Sequence, residues 1–123
     1  MTSEILIVED DEALCETIKL RLEHAGYQTR IAHDGKLGFK MIQESKPTLV
    51  ITDIIMPEIE GLEFIKMIRE AYSNLPIIAV SGGGRMKPDG YLRAALNFGA
   101  SKLLTKPFTN EELLEAVQGL LSE

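Results

Sequence analysis

Short apolar runs alternate with stretches of helical periodicity along the whole chain. Four continuous apolar runs are typical of strands that are buried on both faces of a sheet. These predicted strands are Ile5–Val8, Leu49–Thr52, Ile77–Val80 and Leu103–Thr105. A fifth stretch, Tyr27–Ala32, is more polar, and we predict that it forms a strand at the edge of the sheet.

Five helices are predicted between and after these strands, because apolar residues there recur every three or four positions. Their markers, in chain order, are Leu14 to Ala25, Lys36 to Glu44, Leu62 to Tyr72, Asp89 to Phe98 and Leu113 to Leu121. Gly26, Pro47 and Gly99 follow three of these helices and are typical of helix ends. Thr109 and Glu112 have the spacing of a capping box at the start of the last helix.

Strand–helix alternation repeated five times indicates an α/β fold, a doubly wound (βα)5 three-layer sandwich. Right-handed crossovers make the five-stranded sheet parallel, and we expect the strand order 2-1-3-4-5. The length of 123 residues fits a single domain over residues 1–123. In such a sheet, functional sites lie at the carboxyl ends of the strands.

Composition excludes several classes of function. The net charge of −6 and the pI of about 5.0 argue against direct nucleic-acid binding, which needs clustered Lys and Arg. The sequence contains no apolar stretch long enough to span a membrane, and its acidic N-terminus does not resemble a secretion signal. The lone cysteine, Cys15, cannot form an internal disulfide, and we read it as a small, half-buried helix residue. A cytoplasmic protein is therefore expected.

Polar side chains cluster where the predicted strands end. The set comprises Glu9, Asp10 and Asp11 after the first strand, Asp53 after the third, Ser81 after the fourth and Lys106 after the fifth. Because the first and third strands are expected to be neighbours, their carboxylates would share one crevice and repel each other. A hard divalent cation such as Mg²⁺ relieves this repulsion, because it prefers carboxylate, water and phosphate oxygens. A carboxylate held beside Mg²⁺, an ammonium and a hydroxyl can attack phosphorus, which would make Asp53 an aspartyl phosphate.

Four motifs in this order, ILIVEDD, ITDIIMPEIEG, IIAVSG and LLTKPF, resemble the receiver domain of two-component response regulators over essentially the full chain. The resemblance implies the CheY-like, flavodoxin-like arrangement and a role in phosphorelay signalling. It implies that a histidine kinase or histidine phosphotransfer protein donates the phosphoryl group. A downstream protein target or output domain would then respond, and a phosphorylation-dependent dimer is compatible with the exposed side of the last helix.

The resemblance also implies a role for each site residue. Asp53 is the phosphoacceptor, and Ser81 and Lys106 contact the phosphoryl group. The implied Mg²⁺ ligands are Glu9, Asp10, Asp53 and the backbone carbonyl of Ile55, and Asp11 is not among them. Its place directly before a predicted helix instead makes Asp11 an expected N-cap. A cis peptide bond is implied between Lys106 and Pro107.

Two departures from the family pattern concern switching. Many receivers have an aromatic residue three positions before the lysine, where this sequence has Leu103. The resemblance implies that Ser81 and the residue at this position form the switch. Leu103 can repack, but it has no ring or hydroxyl, so the usual hydroxyl-plus-aromatic switch is not expected in its common form. The stretch SGGGRMKPDGYL is longer than usual, and we expect its glycines to form a mobile loop that phosphoryl contacts at Ser81 partly order. The resemblance also implies that the side chains at Ile55 and Gly83 modulate hydrolysis of the phosphorylated form. Neither provides a polar group to position water, so a long-lived or intermediate lifetime is predicted rather than a short one.

Alternative interpretations remain open from the sequence. Phosphatases with an aspartyl nucleophile commonly have a second Asp where this chain has Ile55, which favours a signalling module over a turnover enzyme. A degenerate receiver that binds partners without phosphorylation is a further alternative. The glycines at 82–84 lack the spacing of a nucleotide-phosphate loop, and His24 and His33 are read as surface residues. The start of the sequence weakly favours a stand-alone receiver.

Overall fold

The computed structural model describes residues 3–54, 61–81 and 94–121. The strands are β1 (Glu4–Val8), β2 (Gln28–Ala32), β3 (Leu49–Asp53), β4 (Ile77–Ser81) and β5 (Lys102–Thr105). The helices are α1 (Glu12–His24), α2 (Gly35–Glu44), α3 (Gly61–Ala71), α4 (residues 94–98) and α5 (Asn110–Leu121). All five predicted strands are present, with their ends shifted by at most one residue.

The strands within the described residues form one parallel sheet in the order β2-β1-β3-β4-β5, as predicted. The more polar strand β2 lies at one edge, which confirms its predicted position. β3 extends one residue further than its apolar run, because Asp53 still pairs in register with Val80. The phosphoacceptor candidate is therefore the last residue of a fully buried strand rather than part of a turn.

Alternate residues of each central strand face opposite helical layers. In β1, Leu6 and Val8 pack with α2 and α3 on one side of the sheet, whereas Ile5 and Ile7 pack with α1 and α5 on the other. This explains why the central strands are apolar throughout rather than alternating. Cys15 lies in the second cluster at 1% exposure, so it is fully buried and the half-buried interpretation was wrong.

Side-chain hydrogen bonds cap the first turns of α1, α2 and α5. The Asp11 carboxylate accepts from the Leu14 N–H at 3.2 Å, which confirms its predicted capping role. The capping box of α5 is also present, because Thr109 and Glu112 exchange backbone-to-side-chain hydrogen bonds of 2.8 and 3.0 Å. The prediction placed the start of α2 one residue late, because it overlooked the cap formed by Asp34.

Glycines in the left-handed region end two helices. Gly26 has a φ of +102° after α1, and Gly99 has a φ of +122° after α4. Both glycines were predicted as helix ends. A side chain at either position would be strained, since L-residues rarely adopt these angles.

Several predicted features lie outside the described residues. They are the Ile55 carbonyl, the glycine stretch at 82–84 with its proposed ordering, and the first part of the helix predicted from Asp89. In the described ranges, none of the helices has the length and apolar character that crossing a membrane requires.

Candidate functional site

The carboxyl edge of the sheet brings side chains from four strands together. Glu9 follows β1, Asp53 ends β3, Ser81 ends β4 and Lys106 follows β5. Glu9, Asp53 and Ser81 are 3%, 7% and 4% exposed, so most of this polar cluster is buried. Burial of that much polarity is unfavourable unless the groups pair with one another or with a ligand.

Lys106 is the cation that joins the two buried carboxylates. Its Nζ lies 3.1 Å from Oε1 of Glu9 and 3.1 Å from Oδ2 of Asp53. Its backbone N–H donates to the Ser81 carbonyl oxygen at 2.8 Å, which fixes the start of its side chain beside β4. The following Lys106–Pro107 peptide bond is cis, as the resemblance implied. The structure therefore places Lys106 against Asp53, as predicted.

The electrostatics of the cluster are those of a site with excess negative charge. Burial, followed by repulsion from Asp53, raises the pKa of Glu9 from 4.5 to about 7. Burial alone would lower the pKa of Lys106, but attraction to Asp53 and hydrogen bonds to both carboxylates outweigh it and raise that pKa. The Lys106 ammonium therefore stays charged. Its single positive charge is less than the negative charge that ionised Glu9 and Asp53 carry together.

The donor set fits a hard divalent cation. One carboxylate oxygen from each of Glu9, Asp10 and Asp53 lies within 4.8 Å of the others. Asp10 is exposed, whereas its two companions are buried, so the cluster opens to solvent on the side of Asp10. Carboxylate oxygens with open positions for water and phosphate are the surroundings that Mg²⁺ prefers.

A close backbone approach holds the end of β3 in place. The Gly61 N–H donates to the Ile54 carbonyl oxygen at 2.6 Å. A β-carbon at Gly61 would overlap the carbonyl oxygens of Asp53 and Ile54, so only glycine fits at the start of α3. This contact fixes the backbone at the end of β3, next to Asp53.

Two residues that the sequence analysis set aside contact the site. Both the Cys15 thiol and Nδ1 of His33 lie 3.2 Å from the carbonyl oxygen of Glu9. Burial, followed by the nearby Glu9 charge, raises the pKa of the Cys15 thiol to about 11, so that it is a protonated donor at neutral pH. The only sequence signal was proximity: Cys15 lies one helical turn into α1, and His33 directly follows β2.

The profile of the response regulator receiver domain matches residues 5–118. The chain belongs to this family. Response regulator MprA of Mycobacterium ulcerans (strain Agy99) is 35% identical over 121 residues, which are 98% of this chain and 51% of that protein. MprA of Mycobacterium tuberculosis (strain ATCC 25618 / H37Rv) has the same identity and coverage. The chain therefore spans about half the length of the curated relatives it matches.

Solved receiver structures have the same fold. A CheY-like response regulator receiver domain protein from Methanospirillum hungatei JF-1 superposes with a TM-score of 0.91 at 30% identity, covering 99% of this chain and 95% of that one. Chemotaxis protein CheY4 of Vibrio cholerae superposes with a TM-score of 0.88 at 28% identity, covering 98% and 100%. The receiver domain of NtrX from Brucella abortus gives 0.90 at 27%, covering 96% and 98%.

Membership in the receiver family establishes the general role of the chain. Receiver domains are phosphoacceptor signalling domains of two-component systems, they generally bind Mg²⁺, and response regulators interact with histidine kinases and downstream targets.

Leu103, the expected switch residue, is half-buried on β5 and packs against the core cluster that also contains Ala95 of α4.

Proposed function

We propose that this receiver takes a phosphoryl group onto Asp53 in a Mg²⁺-dependent reaction and changes its protein contacts in response. The observation that carries the proposal is the pair of 3.1 Å contacts from Lys106 to Asp53 and Glu9 at the carboxyl edge of the sheet. An ammonium in that position can neutralise a phosphoryl oxygen, and an adjacent carboxylate can attack phosphorus.

In the proposed reaction, a carboxylate oxygen of Asp53 forms a bond to the phosphorus of the donor. The bond from phosphorus to the donor nitrogen or oxygen breaks, and the leaving group keeps its electron pair. Lys106 stabilises negative charge on the transferring group, and the Ser81 hydroxyl donates to one of its oxygens. The low exposure of Asp53 restricts the access of water to the acyl phosphate.

The proposed Mg²⁺ ligands are Glu9, Asp10 and Asp53, together with the Ile55 carbonyl, which lies outside the described residues. When bound, Mg²⁺ neutralises charge on the phosphoryl oxygens and on the crowded carboxylates. Asp10 forms the open side of the cluster, so it would hold the ion where solvent can reach it.

Switching is proposed to run through Ser81 and Leu103. Ser81 pairs with Thr105 in the sheet register, two residues after Leu103, so movement at Ser81 bears directly on β5. Because Leu103 packs with the cluster that contains Ala95, its repacking would alter how α4 lies against β5. The proposed phosphoryl donor is a histidine kinase or a histidine phosphotransfer protein. The proposed target of the phosphorylated form is a downstream protein or an output domain. We further propose that residues 1–123 form one domain.

The proposal is tested by intact-mass measurement after incubation with acetyl phosphate, with and without Mg²⁺. We expect one phosphoryl adduct on the wild-type protein, none on Asp53→Asn, and none when Mg²⁺ is chelated. Glu44→Gln is the matched control, since it removes an exposed carboxylate at the end of α2. An adduct that persists in Asp53→Asn would contradict the assignment, and the absence of any wild-type adduct would favour the degenerate receiver.

A further inference from the structure

Asp10, the exposed member of the proposed Mg²⁺ site, is joined to Glu9 by a peptide unit whose carbonyl oxygen has two side-chain contacts. Atoms of a peptide unit lie in one plane, so the direction of the Glu9 carbonyl fixes the plane from which the Asp10 side chain starts. Two donors reach that one oxygen: the Cys15 thiol from α1 and Nδ1 of His33 from the loop after β2, each at 3.2 Å. A carbonyl oxygen has two lone pairs, so both donors can bind it together.

The other side of Glu9 is also held. Its N–H donates to the Ala32 carbonyl oxygen at 3.0 Å, and its side-chain Oε2 accepts from the Asp11 N–H at 3.1 Å. The β1–α1 corner is therefore fixed from β2, from α1 and from within. Asp10 has no comparable burial, so the orientation of its backbone depends on the peptide unit before it.

We propose that Cys15 and His33 are positioning residues that orient the Glu9–Asp10 peptide unit and thereby direct the Asp10 carboxylate into the Mg²⁺ site. Neither residue touches the reacting atoms. A carbonyl oxygen can only accept, so Nδ1 of His33 carries the proton in this contact. The inference rests on the proposed function, because it assumes that Asp10 is a Mg²⁺ ligand.

The test measures Mg²⁺ affinity by isothermal titration calorimetry in Cys15→Ala and His33→Ala. Each variant should weaken Mg²⁺ binding by about 3–10-fold, the range expected for the loss of one hydrogen bond that orients a ligand. His33→Asn, whose amide can donate from a place close to Nδ1, and Cys15→Ser, which keeps a donor, should recover most of the affinity. His24→Ala, at the end of α1, is the matched control and should bind as the wild type does.

A purely structural role predicts a different result. Positioning of a ligand shifts the Mg²⁺ dependence of acetyl phosphate labelling but leaves the rate at saturating Mg²⁺ close to that of the wild type. General destabilisation lowers the melting temperature but does not separate the Mg²⁺ dependence of labelling from the rate at saturating Mg²⁺. If Cys15→Ser does not fold, the His33→Ala and His33→Asn pair carries the comparison.

Two measurements need no metal at all. Nitrogen NMR at pH 8 should show His33 as the Nδ1–H tautomer, and amide hydrogen exchange at Asp10 should be faster in His33→Ala than in the wild type. An Nε2–H tautomer, or unchanged Mg²⁺ affinity and Asp10 exchange in both alanine variants, overturns the inference. Failure of the wild type to bind Mg²⁺ would instead count against the proposed function, and the exchange data would then decide the positioning inference separately.

Discussion

The guanidinium of Arg69 donates two hydrogen bonds to the carbonyl oxygen of Gly99, at 3.1 and 2.7 Å. The same side chain also donates to the carbonyl oxygens of Tyr72 and Ser73. Arg69 therefore joins the end of α3 to the end of α4, at the edge of the sheet opposite the one where Asp53 lies. Burial lowers the pKa of Arg69, but these contacts occupy four of its five N–H donors.

The glycine at this junction yields a graded stability prediction. Gly99→Ala should destabilise the most, by about 2–4 kcal/mol, because it combines a positive φ with a β-carbon 2.8 Å from the Arg69 side chain. Gly26→Ala has the positive φ but open space, and should cost about 1 kcal/mol. Gly119→Ala lies within α5, and should stabilise by about 0.5–1 kcal/mol. Urea unfolding measures all three, and any other order would contradict these reasons.

Lys106 should affect phosphorylation and Mg²⁺ binding in opposite directions. Lys106→Met removes the charge that stabilises the transferring group, so labelling by acetyl phosphate should slow by about 100-fold. It also removes a competing cation from Glu9 and Asp53, so Mg²⁺ should bind at least as tightly as in the wild type. Lys102→Met changes an exposed lysine at the start of β5, the strand that Lys106 follows, and serves as the control. Weaker Mg²⁺ binding in Lys106→Met would mean that the lysine instead organises the metal site.

The metal-free protein should lose stability as the pH rises from about 4.5 to about 7. Both states carry the Glu9 proton below this window. Within it, the unfolded chain loses the proton first, because burial and Asp53 raise the pKa of Glu9 to about 7 in the folded state. The free energy of unfolding should therefore fall by about 3 kcal/mol across this window, and the stabilisation by the protonated Glu9 is lost above pH 7. Urea unfolding of Glu9→Gln should lack this part of the slope, whereas Glu44→Gln should keep it; parallel wild-type and Glu9→Gln curves would refute the assignment.

Ser81 should couple phosphorylation to the rest of the fold. Ser81→Ala should still be labelled on Asp53, but hydrogen exchange along Lys102–Thr105 should no longer change with labelling. Leu103→Ala should likewise be labelled at close to the wild-type rate, since Leu103 packs with the core on one side of the sheet rather than at the site. If hydrogen exchange along β5 of the wild-type protein does not change when Asp53 is labelled, Ser81 and Leu103 are not a switch.

Local sequence patterns were sufficient to predict the sheet and the acidic centre. Continuous apolar runs fixed the central strands, and the residues directly after them had to meet at one edge of a parallel sheet. The contacts of Arg69 with Gly99 and of His33 with Glu9 could not be predicted in this way. Each joins residues from different elements and depends on how loops turn, which no short pattern encodes. Asp34 was overlooked as a cap because no Glu or Gln follows it at the third position of α2.

The Lys106 contact with Glu9 joins residues 97 positions apart, and its contact with Asp53 joins residues 53 positions apart. A chain in which β5 has not yet docked therefore has the proposed acceptor carboxylate of Asp53 but lacks the cation that contacts it. Competence for phosphoryl transfer should therefore appear only once the last strand is in place. A partly folded receiver would then be unable to take up a signal, so labelling on Asp53 reports a completed fold.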